Sequence, residues 1–296
     1  MATDISSVRI LRAAILHCVD DPALVGEQAV HYIEDGLLWI EQGRVRDLGT
    51  YAALASRLPS GMTIEDRRGC LLTPGLIDTH THYPQLSIAA SPAGTLFNWL
   101  EQRAFPAEAA LQDADVAEVL AHRFIAEMLR NGTTTAMVFA GVQPWSADAF
   151  FQHAQHLGLR MIAGKVLQDR LVPEALRESP EQAQAATEAL IQRWHGRDRL
   201  DYALTPRFAP ACSESLLQLC RDWLHVYPDL YLQTHLAETQ EECDRVARDF
   251  PGSRGYLDLY DQYGFLRSRS MFAHAIYLDE QEQQQLGASG AGVAHC

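Results

Sequence analysis

Lysine is almost absent from this sequence of 296 residues, because Lys165 is the only lysine among 24 basic residues. Any chemistry that requires a lysine amine therefore has a single candidate. The basic residues are also outnumbered by 38 acidic ones, which gives a formal net charge of −14. Binding to the phosphates of DNA or RNA requires a basic face. The composition therefore argues against a nucleic acid as the main partner.

Paired cysteines and long apolar runs are absent as well. The six cysteines form no CxxC pair, which excludes a zinc ribbon or a disulfide-stapled module and favours a reducing compartment. Residues 1–12 lack a signal-peptide pattern, and no apolar run reaches the ~18 residues that span a bilayer. We therefore expect a cytoplasmic protein with no membrane partner.

Residues 1–70 are predicted to form a small N-terminal β-sheet domain, the β-sandwich part of the molecule. Apolar-rich runs at residues 8–16, 29–34, 36–41 and 43–49 are separated by turn-forming residues at Asp20-Asp21-Pro22, Asp35-Gly36 and Gln42-Gly43. Asp35-Gly36 lies between two of these runs and is a hairpin signal.

Residues 71–296 are predicted to form the main domain, in which strands alternate with helices. The strand candidates are residues 71–82, 133–140, 159–167, 201–210, 230–235, 270–278 and 290–296. The helical stretches between them include residues 113–131, 180–195, 213–227 and 239–250. Repeated βα units build a parallel α/β sheet. A (β/α)8 barrel needs eight strands, so about seven units indicate either an open sheet or a TIM-type barrel that lacks its last strand or strands.

A histidine pair ends the first strand of this domain. Side chains at i and i+2 point to the same face of a strand, so His80 and His82 can bind one metal ion, although such a pair also occurs without metal. His235 ends a later strand, where barrels of this kind carry their active sites, but it could equally be a hydrogen-bonded core histidine. Glu238 follows, and it either reaches a metal-bound water or complements the dipole of the next helix.

Further polar side chains interrupt apolar strands. His274 is either a partnered core histidine or a site residue, because a buried imidazole must be paired, and His295 is interpreted as structural. Arg207 lies between two prolines and offers a planar fork to a carbonyl or ring nitrogen. The adjacent Phe208 could stack on a planar ring, although a surface arginine beside a core phenylalanine is the ordinary alternative.

Residues 74–82 (PGLIDTHTH), with His235 and His274 on later strands, resemble the amidohydrolase superfamily of metal-dependent barrels. Within it, several segments are similar to the guanine deaminases, namely HYPQ at 82–85, WLE at 99–101, FPAE at 105–108, PRF at 206–208 and HLAE at 235–238. The similarity runs from about residue 30 to the last residue, and it favours the incomplete barrel over the open sheet.

This resemblance implies a role for each matching residue. The implied zinc ligands are His80, His82 and His235. The implied substrate-binding residues are Gln85, Arg207, Phe208 and His235. Glu238 would shuttle protons, and His274 would lie beside the metal-bound water. The implied reaction is the hydrolysis of guanine to xanthine and ammonia in purine catabolism.

The resemblance also bears on metal content and completeness. Two-metal relatives bridge their ions with a carboxylated lysine on the fourth strand, and here that strand has no lysine, so we expect one Zn²⁺ per chain and at most a charge near the pocket from Lys165. The family pattern demands an aspartate ligand on an eighth strand, so we expect a C-terminally truncated form with weak activity or none, and the resemblance suggests a homodimer.

Two alternatives stay open at this point. The first is a deaminase or cyclic amidase that acts on another aminated heterocycle. The second is a non-catalytic fragment that pairs with a full-length subunit. A generic open α/β binding protein is less suitable, because it does not explain three metal-type histidines that each end a strand.

Overall fold

A computed structural model describes residues 8–92 and 94–296, and the chain divides into two compact units, Met1–Gly75 and Leu76–Cys296. The division falls a few residues after the predicted domain boundary at residue 70. Residues 71 and 72 were assigned to the first barrel strand, but they continue the last strand of the first unit. Pro74 and Gly75 separate this strand from the next one, because proline has no N–H to donate to a sheet.

The first unit contains one four-stranded sheet among residues 8–75, which agrees with the expected β-sheet but is not the pair of facing sheets of a β-sandwich. Its strands are β1 (Val8–Cys18), β2 (Val30–Glu41), β3 (Arg44–Thr50) and β4 (Glu65–Leu72), in the order β3-β2-β1-β4. The short helices of this unit are α1 (Pro22–Val25) and α2 (Tyr51–Leu54), with 3-10 turns at Gly26–Ala29 and Ala55–Arg57. β1 pairs antiparallel with β2 and parallel with β4. Its small core is built from Ile10, Leu37, Trp39 and Leu54.

The predicted hairpin at Asp35-Gly36 is wrong, because β2 runs straight through these residues. The reason for the glycine is packing: a Cβ on Gly36 would lie 2.6 Å from the Ile15 side chain. The register of β1 against β2 shifts at the same place, between Ala13 and Ile15. The actual turn is at Gln42 and Gly43, whose φ values of 52° and 72° suit a tight hairpin.

The second unit is a curved parallel sheet with helical crossovers. Its strands are β5 (Leu76–His82), β6 (Thr133–Phe139), β7 (Arg160–Gly164), β8 (Val166–Leu167), β9 (Leu200–Pro206), β10 (Tyr231–Leu236), β11 (Ser270–His274) and β12 (Gly292–Ala294). Their order is β12-β11-β10-β9-β7-β6-β5, with β8 beside β9. All seven predicted strand positions are confirmed, and the third is divided at Lys165. The sheet is barrel-shaped and nearly closed.

Helices connect successive strands and cover the sheet. The longer ones are α5 (Ala114–Arg130), α6 (Pro144–His156), α7 (Pro180–Trp194), α8 (Glu214–Val226), α9 (Gln240–Asp249), α10 (Tyr256–Gln262) and α11 (Glu280–Ser289). The segment after β5 is a series of short helices, namely Tyr83–Ile88, α3 (Leu96–Trp99), Leu100–Ala104, α4 (Phe105–Ala109) and Ala110–Gln112. Short 3-10 turns also occur at Glu174–Leu176 and Ala209–Ala211.

The predicted helices begin where capping residues satisfy free backbone N–H groups. Ser179 caps α7 and forms a capping box with Gln182, and Ser213 caps α8. The apolar face of α8 buries Leu216 and Leu217 in the main core. Full burial of such a side chain stabilises the fold by about 1.5–3 kcal/mol, which holds the helix against the sheet and fixes the strand ends.

Two strands, β9 and β11, end four residues earlier than predicted, and both ends lie at the candidate site. β11 ends at His274, because His274 and Ala275 adopt φ values of 75° and 53°, which a strand does not accommodate. β9 ends at Pro206, and the chain turns into a 3-10 segment at Ala209. Within residues 8–92 and 94–296, no helix combines the length and the apolar character needed to cross a membrane.

Candidate functional site

Three imidazoles from two strands converge at the carboxyl ends of the barrel strands. His80 and His82 lie on the same face of β5, and His235 is on β10. The Nε2 atoms of His82 and His235 are 3.1 Å apart, and one ligand nitrogen from each of the three residues falls within 4.8 Å of the others. The alternation of side chains along a strand places His80 and His82 together, and the parallel sheet adds His235.

The protonation of these rings suits metal binding. The Nδ1 atom of His235 is 2.5 Å from the carbonyl oxygen of Arg207. A carbonyl oxygen only accepts, so Nδ1 carries the hydrogen and Nε2 keeps its lone pair. Burial lowers the pKa of His82 and of His235 well below the usual value, and it lowers the pKa of His80 to about 3. All three rings are therefore neutral at pH 7, which is the form that binds metals.

The spacing also fits a single tetrahedral ion. Two nitrogen atoms bound to one zinc at ~2.0–2.1 Å are about 3.3–3.4 Å apart, close to the 3.1 Å between the Nε2 atoms of His82 and His235. Phe139 packs flat against the His82 ring, with centroids 4.4 Å apart, and holds it in place. A second potential group consists of His80, His274 and Cys296. Because the two groups share His80, they cannot both be complete metal sites.

Glu238 lies beside these histidines rather than at a helix N-terminus. Its Oε2 is 3.4 Å from Nε2 of His274, and both residues line the same pocket. The cap of α9 is Thr239, and the acidic residues of its first turn are Glu241 and Glu242. Burial raises the pKa of Glu238 above its usual value. Of the two roles open from the sequence, the position of Glu238 favours the one inside the pocket.

The backbone places Glu238 through an unusual conformation of its neighbour. Ala237 has a φ of 49°, in the left-handed region, and its carbonyl accepts hydrogen bonds from Ile276 and Tyr277. The backbone N–H of Glu238 donates to Glu242 over 2.8 Å. Glu242 is fully buried, and its other carboxylate oxygen accepts from the Tyr256 hydroxyl over 2.7 Å.

A buried ion pair also belongs to this site. Arg207 donates from Nη1 and Nη2 to Glu108 over 2.5 and 2.9 Å, and each residue is only 2% exposed. Gln85 donates from Nε2 to the same carboxylate over 3.0 Å. The pocket is lined by His80, His82, Gln85, Leu96, Trp99, Leu100, Arg207, Phe208, His235, Glu238 and His274. It encloses about 150 Å³ and contains every site residue expected from the sequence.

Two residues left open by the sequence lie elsewhere. Lys165 does not line this pocket; its side chain is fully buried and forms an ion pair with Glu178. His295 is exposed, and its Nδ1 is 3.2 Å from the backbone carbonyl of His274. Sequence reasoning missed Glu108 and Glu242, whose burial is not visible in the sequence. The available signal for Glu108 was the FPAE segment at 105–108, which is one of the segments that carry the resemblance.

The comparisons with known proteins agree with this geometry. The model of the amidohydrolase family matches residues 71–296. Guanine deaminase of Escherichia coli (strain K12) is 39% identical over 282 residues, which cover 95% of this chain and 64% of that protein. The chain therefore spans less than two thirds of this relative's length. The chain belongs to the amidohydrolase family, whose members are typically metal-dependent hydrolases.

Solved structures give the same result. The structure of the E. coli guanine deaminase matches with a TM-score of 0.93 and 38% identity, over 97% of this chain and 67% of that one. A guanine deaminase from C. acetobutylicum, solved with guanine bound in its active site, matches with a TM-score of 0.88 and 25% identity, over 98% and 67% of the two chains.

Proposed function

We propose that this chain carries the site for zinc-dependent hydrolytic deamination of guanine to xanthine and ammonia. The observation that carries the proposal is that a histidine cluster, a carboxylate and a donor-rich polar wall face one pocket. The similarity to guanine deaminases, one of which was solved with guanine bound, supports a small purine as the substrate class.

The metal would be one zinc ion held by His80, His82 and His235. A zinc ion at such a site acts as a Lewis acid and makes water a stronger nucleophile near neutral pH. Support for a single ion comes from the strand that precedes Arg207, because it has no lysine to bridge two metals. The only lysine is committed to Glu178.

Proton transfer falls to Glu238. A general base must lie within hydrogen-bond reach of the proton that it removes, and a raised pKa makes a carboxylate a better base near neutral pH. Glu238 would take a proton from the attacking water and deliver it to the adjacent ring nitrogen. It would then take the remaining proton of the newly added hydroxyl and deliver it to the amine, which leaves as ammonia. His274 lies 3.4 Å from Glu238, and its Nδ1 is 3.2 Å from the Cys296 carbonyl, so its Nε2 would accept a hydrogen bond from the attacking water.

Other residues of the pocket would bind the purine ring. The guanidinium of Arg207 and the amide of Gln85 would hydrogen-bond the carbonyl edge of guanine, and Phe208 would pack against its plane. His235 would contact the substrate from the metal side. Adenine presents an amine at the position of that carbonyl, which would leave the buried donors of Arg207 unpaired, and such a mismatch is strongly penalised.

The experiment measures xanthine and ammonia formed from guanine by the purified chain, with its zinc content determined by mass spectrometry. Glu238→Gln should lower kcat by about 10²–10⁴-fold and leave zinc content unchanged. His82→Asn should lose zinc, whereas His156→Asn, at an exposed helical histidine, should lose neither zinc nor activity.

The outcomes separate the open alternatives. Turnover of cytosine, hydantoin or 8-oxoguanine in preference to guanine would replace the proposed substrate. Loss of the histidine-dependent zinc site together with capture of a longer homologous subunit would support a non-catalytic fragment. Two metal ions per chain would contradict the single-zinc proposal, and size-exclusion chromatography would test the expected homodimer.

A further inference from the structure

The carboxylate of Glu108 holds two pocket side chains at once. Its Oε1 accepts from Arg207 Nη2 over 2.9 Å and from Gln85 Nε2 over 3.0 Å, and its Oε2 accepts from Arg207 Nη1 over 2.5 Å. Glu108 is 2% exposed and does not line the pocket itself. It therefore touches the residues that would bind a ligand without contacting the ligand.

This contact fixes the orientation of the Gln85 amide. An ionised carboxylate only accepts hydrogen bonds, so the group of Gln85 that faces it must be the NH2 and not the oxygen. Oε1 of Gln85 therefore points away from Glu108, and Gln85 is part of the pocket lining. In residues 8–92 and 94–296, no protein group donates to this oxygen, so it is available to a ligand as an acceptor.

The same contact determines what Arg207 presents. A guanidinium has five N–H groups and no acceptor, and the two bonds to Glu108 use one N–H on each terminal nitrogen. The remaining N–H groups are donors only. The wall thus combines donors from Arg207 with an acceptor from Gln85. The complement of this pattern is a lactam edge, a ring carbonyl beside a ring N–H.

We propose that Glu108 is a positioning residue that determines specificity, because it fixes Gln85 as an acceptor and Arg207 as a donor. The pocket would then select purines with a 6-carbonyl and a hydrogen on N1 over analogues without them. This inference rests on the proposed function for the identity of the substrate and adds to it the residue that sets the preference.

The test compares guanine with 2-aminopurine, which lacks the 6-carbonyl and has no hydrogen on N1. The intrinsic fluorescence of 2-aminopurine reports its binding directly, and guanine is measured by competition. The native chain should bind guanine more tightly. In Glu108→Gln the new carboxamide can donate as well as accept, so the Gln85 amide is free to turn. The preference for guanine, measured as the dissociation constant of 2-aminopurine divided by that of guanine, should then fall by about 10-fold or more.

Matched variants separate this role from a general loss of structure. Glu118→Gln makes the same chemical change at an exposed position of α5 and should leave the preference unchanged. If Glu108→Gln weakens both ligands by the same factor, Glu108 is merely structural and the inference is overturned. Should this variant fail to fold, Gln85→Leu removes the acceptor at a partly exposed position. It should narrow the preference in the same way, and an unchanged preference would overturn the inference.

Turnover measured on the same samples keeps the two proposals distinct. A narrowed preference without xanthine formation would overturn the proposed reaction and leave the role of Glu108 intact. Xanthine formation with an unchanged preference would overturn the role of Glu108 and leave the reaction intact.

Discussion

Lys165 and Glu178 form an ion pair, and removal of one partner should change the free energy of unfolding far more than removal of the other. The Lys165 side chain is 0% exposed, whereas that of Glu178 is 13% exposed. Burial lowers the pKa of Lys165, and the neighbouring Glu178 opposes this shift. Because the folded pKa lies below the unfolded one, the buried charge costs stability at neutral pH, and this cost decreases as the pH rises from the folded pKa to the unfolded pKa.

The burial of each partner sets the expected magnitudes. Glu178→Gln leaves an uncompensated cation in a fully buried position and should lower the free energy of unfolding by about 3–5 kcal/mol. Lys165→Met removes the buried charge and fills a similar volume, and it leaves a carboxylate that can turn toward solvent. The free energy of unfolding should therefore stay close to that of the native chain. The double variant should resemble Lys165→Met alone, because the uncompensated cation is then absent.

Urea unfolding at pH 7, followed by circular dichroism, measures these differences. Glu127→Gln is the control, because it makes the same change in an exposed pair with Arg130, in which the side chains are 43% and 70% exposed. That pair should contribute no more than about 0.5 kcal/mol. The reasoning is refuted if Lys165→Met destabilises the fold as much as Glu178→Gln does, or if the double variant is less stable than both.

Three other predictions concern pH, packing and metal. Burial raises the pKa of Glu242 to about 7. The protonated carboxyl therefore stabilises the folded state by roughly 3 kcal/mol below about pH 4.5, and this contribution is lost as the pH rises to about 7. The free energy of unfolding, measured with urea from pH 5 to 8, should decrease with pH in the native chain and not in Glu242→Gln. The same pH dependence in both proteins would contradict this prediction. Gly164→Ala should destabilise the fold by more than 3 kcal/mol in thermal unfolding, about the upper end for overpacking, because its Cβ would lie 1.8 Å from the Ala203 carbonyl oxygen. Gly287→Ala, with open space around it, should be neutral or stabilising, and equal effects of the two substitutions would refute the packing argument. Zinc at about 100 times its dissociation constant should stabilise the native chain by about 2.7 kcal/mol, an effect that chelation should reverse and His82→Asn should abolish.

The strand positions and the shared face of His80 and His82 could be predicted because they follow from local periodicity. His80 and His82 share a face through the two-residue repeat of a strand, and apolar runs marked all seven barrel strands. Asp35-Gly36 was misinterpreted because a glycine required by close packing against Ile15 has the same appearance in the sequence as a glycine required by a turn.

The supporting residues could not be predicted, since their roles depend on contacts between distant segments. Glu108 and Arg207 are 99 positions apart, and only the fold reveals that both are buried and paired. The placement of Glu238 depends on the left-handed backbone of Ala237. Alanine does not indicate this conformation, because glycine and asparagine are the residues that usually adopt it.

Arg207 links the two halves of the site, but its backbone and its side chain are held separately. The backbone carbonyl of Arg207 accepts hydrogen bonds from Nδ1 of His235 and, over 3.1 Å, from the backbone N–H of His235. The backbone N–H of Arg207 donates to the Leu167 carbonyl over 3.1 Å. The side chain is held by Glu108 alone among the hydrogen-bond partners described for residues 8–92 and 94–296. Loss of Glu108 should therefore release the guanidinium while the strand contacts keep the carbonyl, and with it the His235 ring, in place. We expect Glu108→Gln to alter ligand preference and to retain zinc as well as the native chain does. A parallel loss of zinc would show that the backbone of Arg207 depends on its side chain after all.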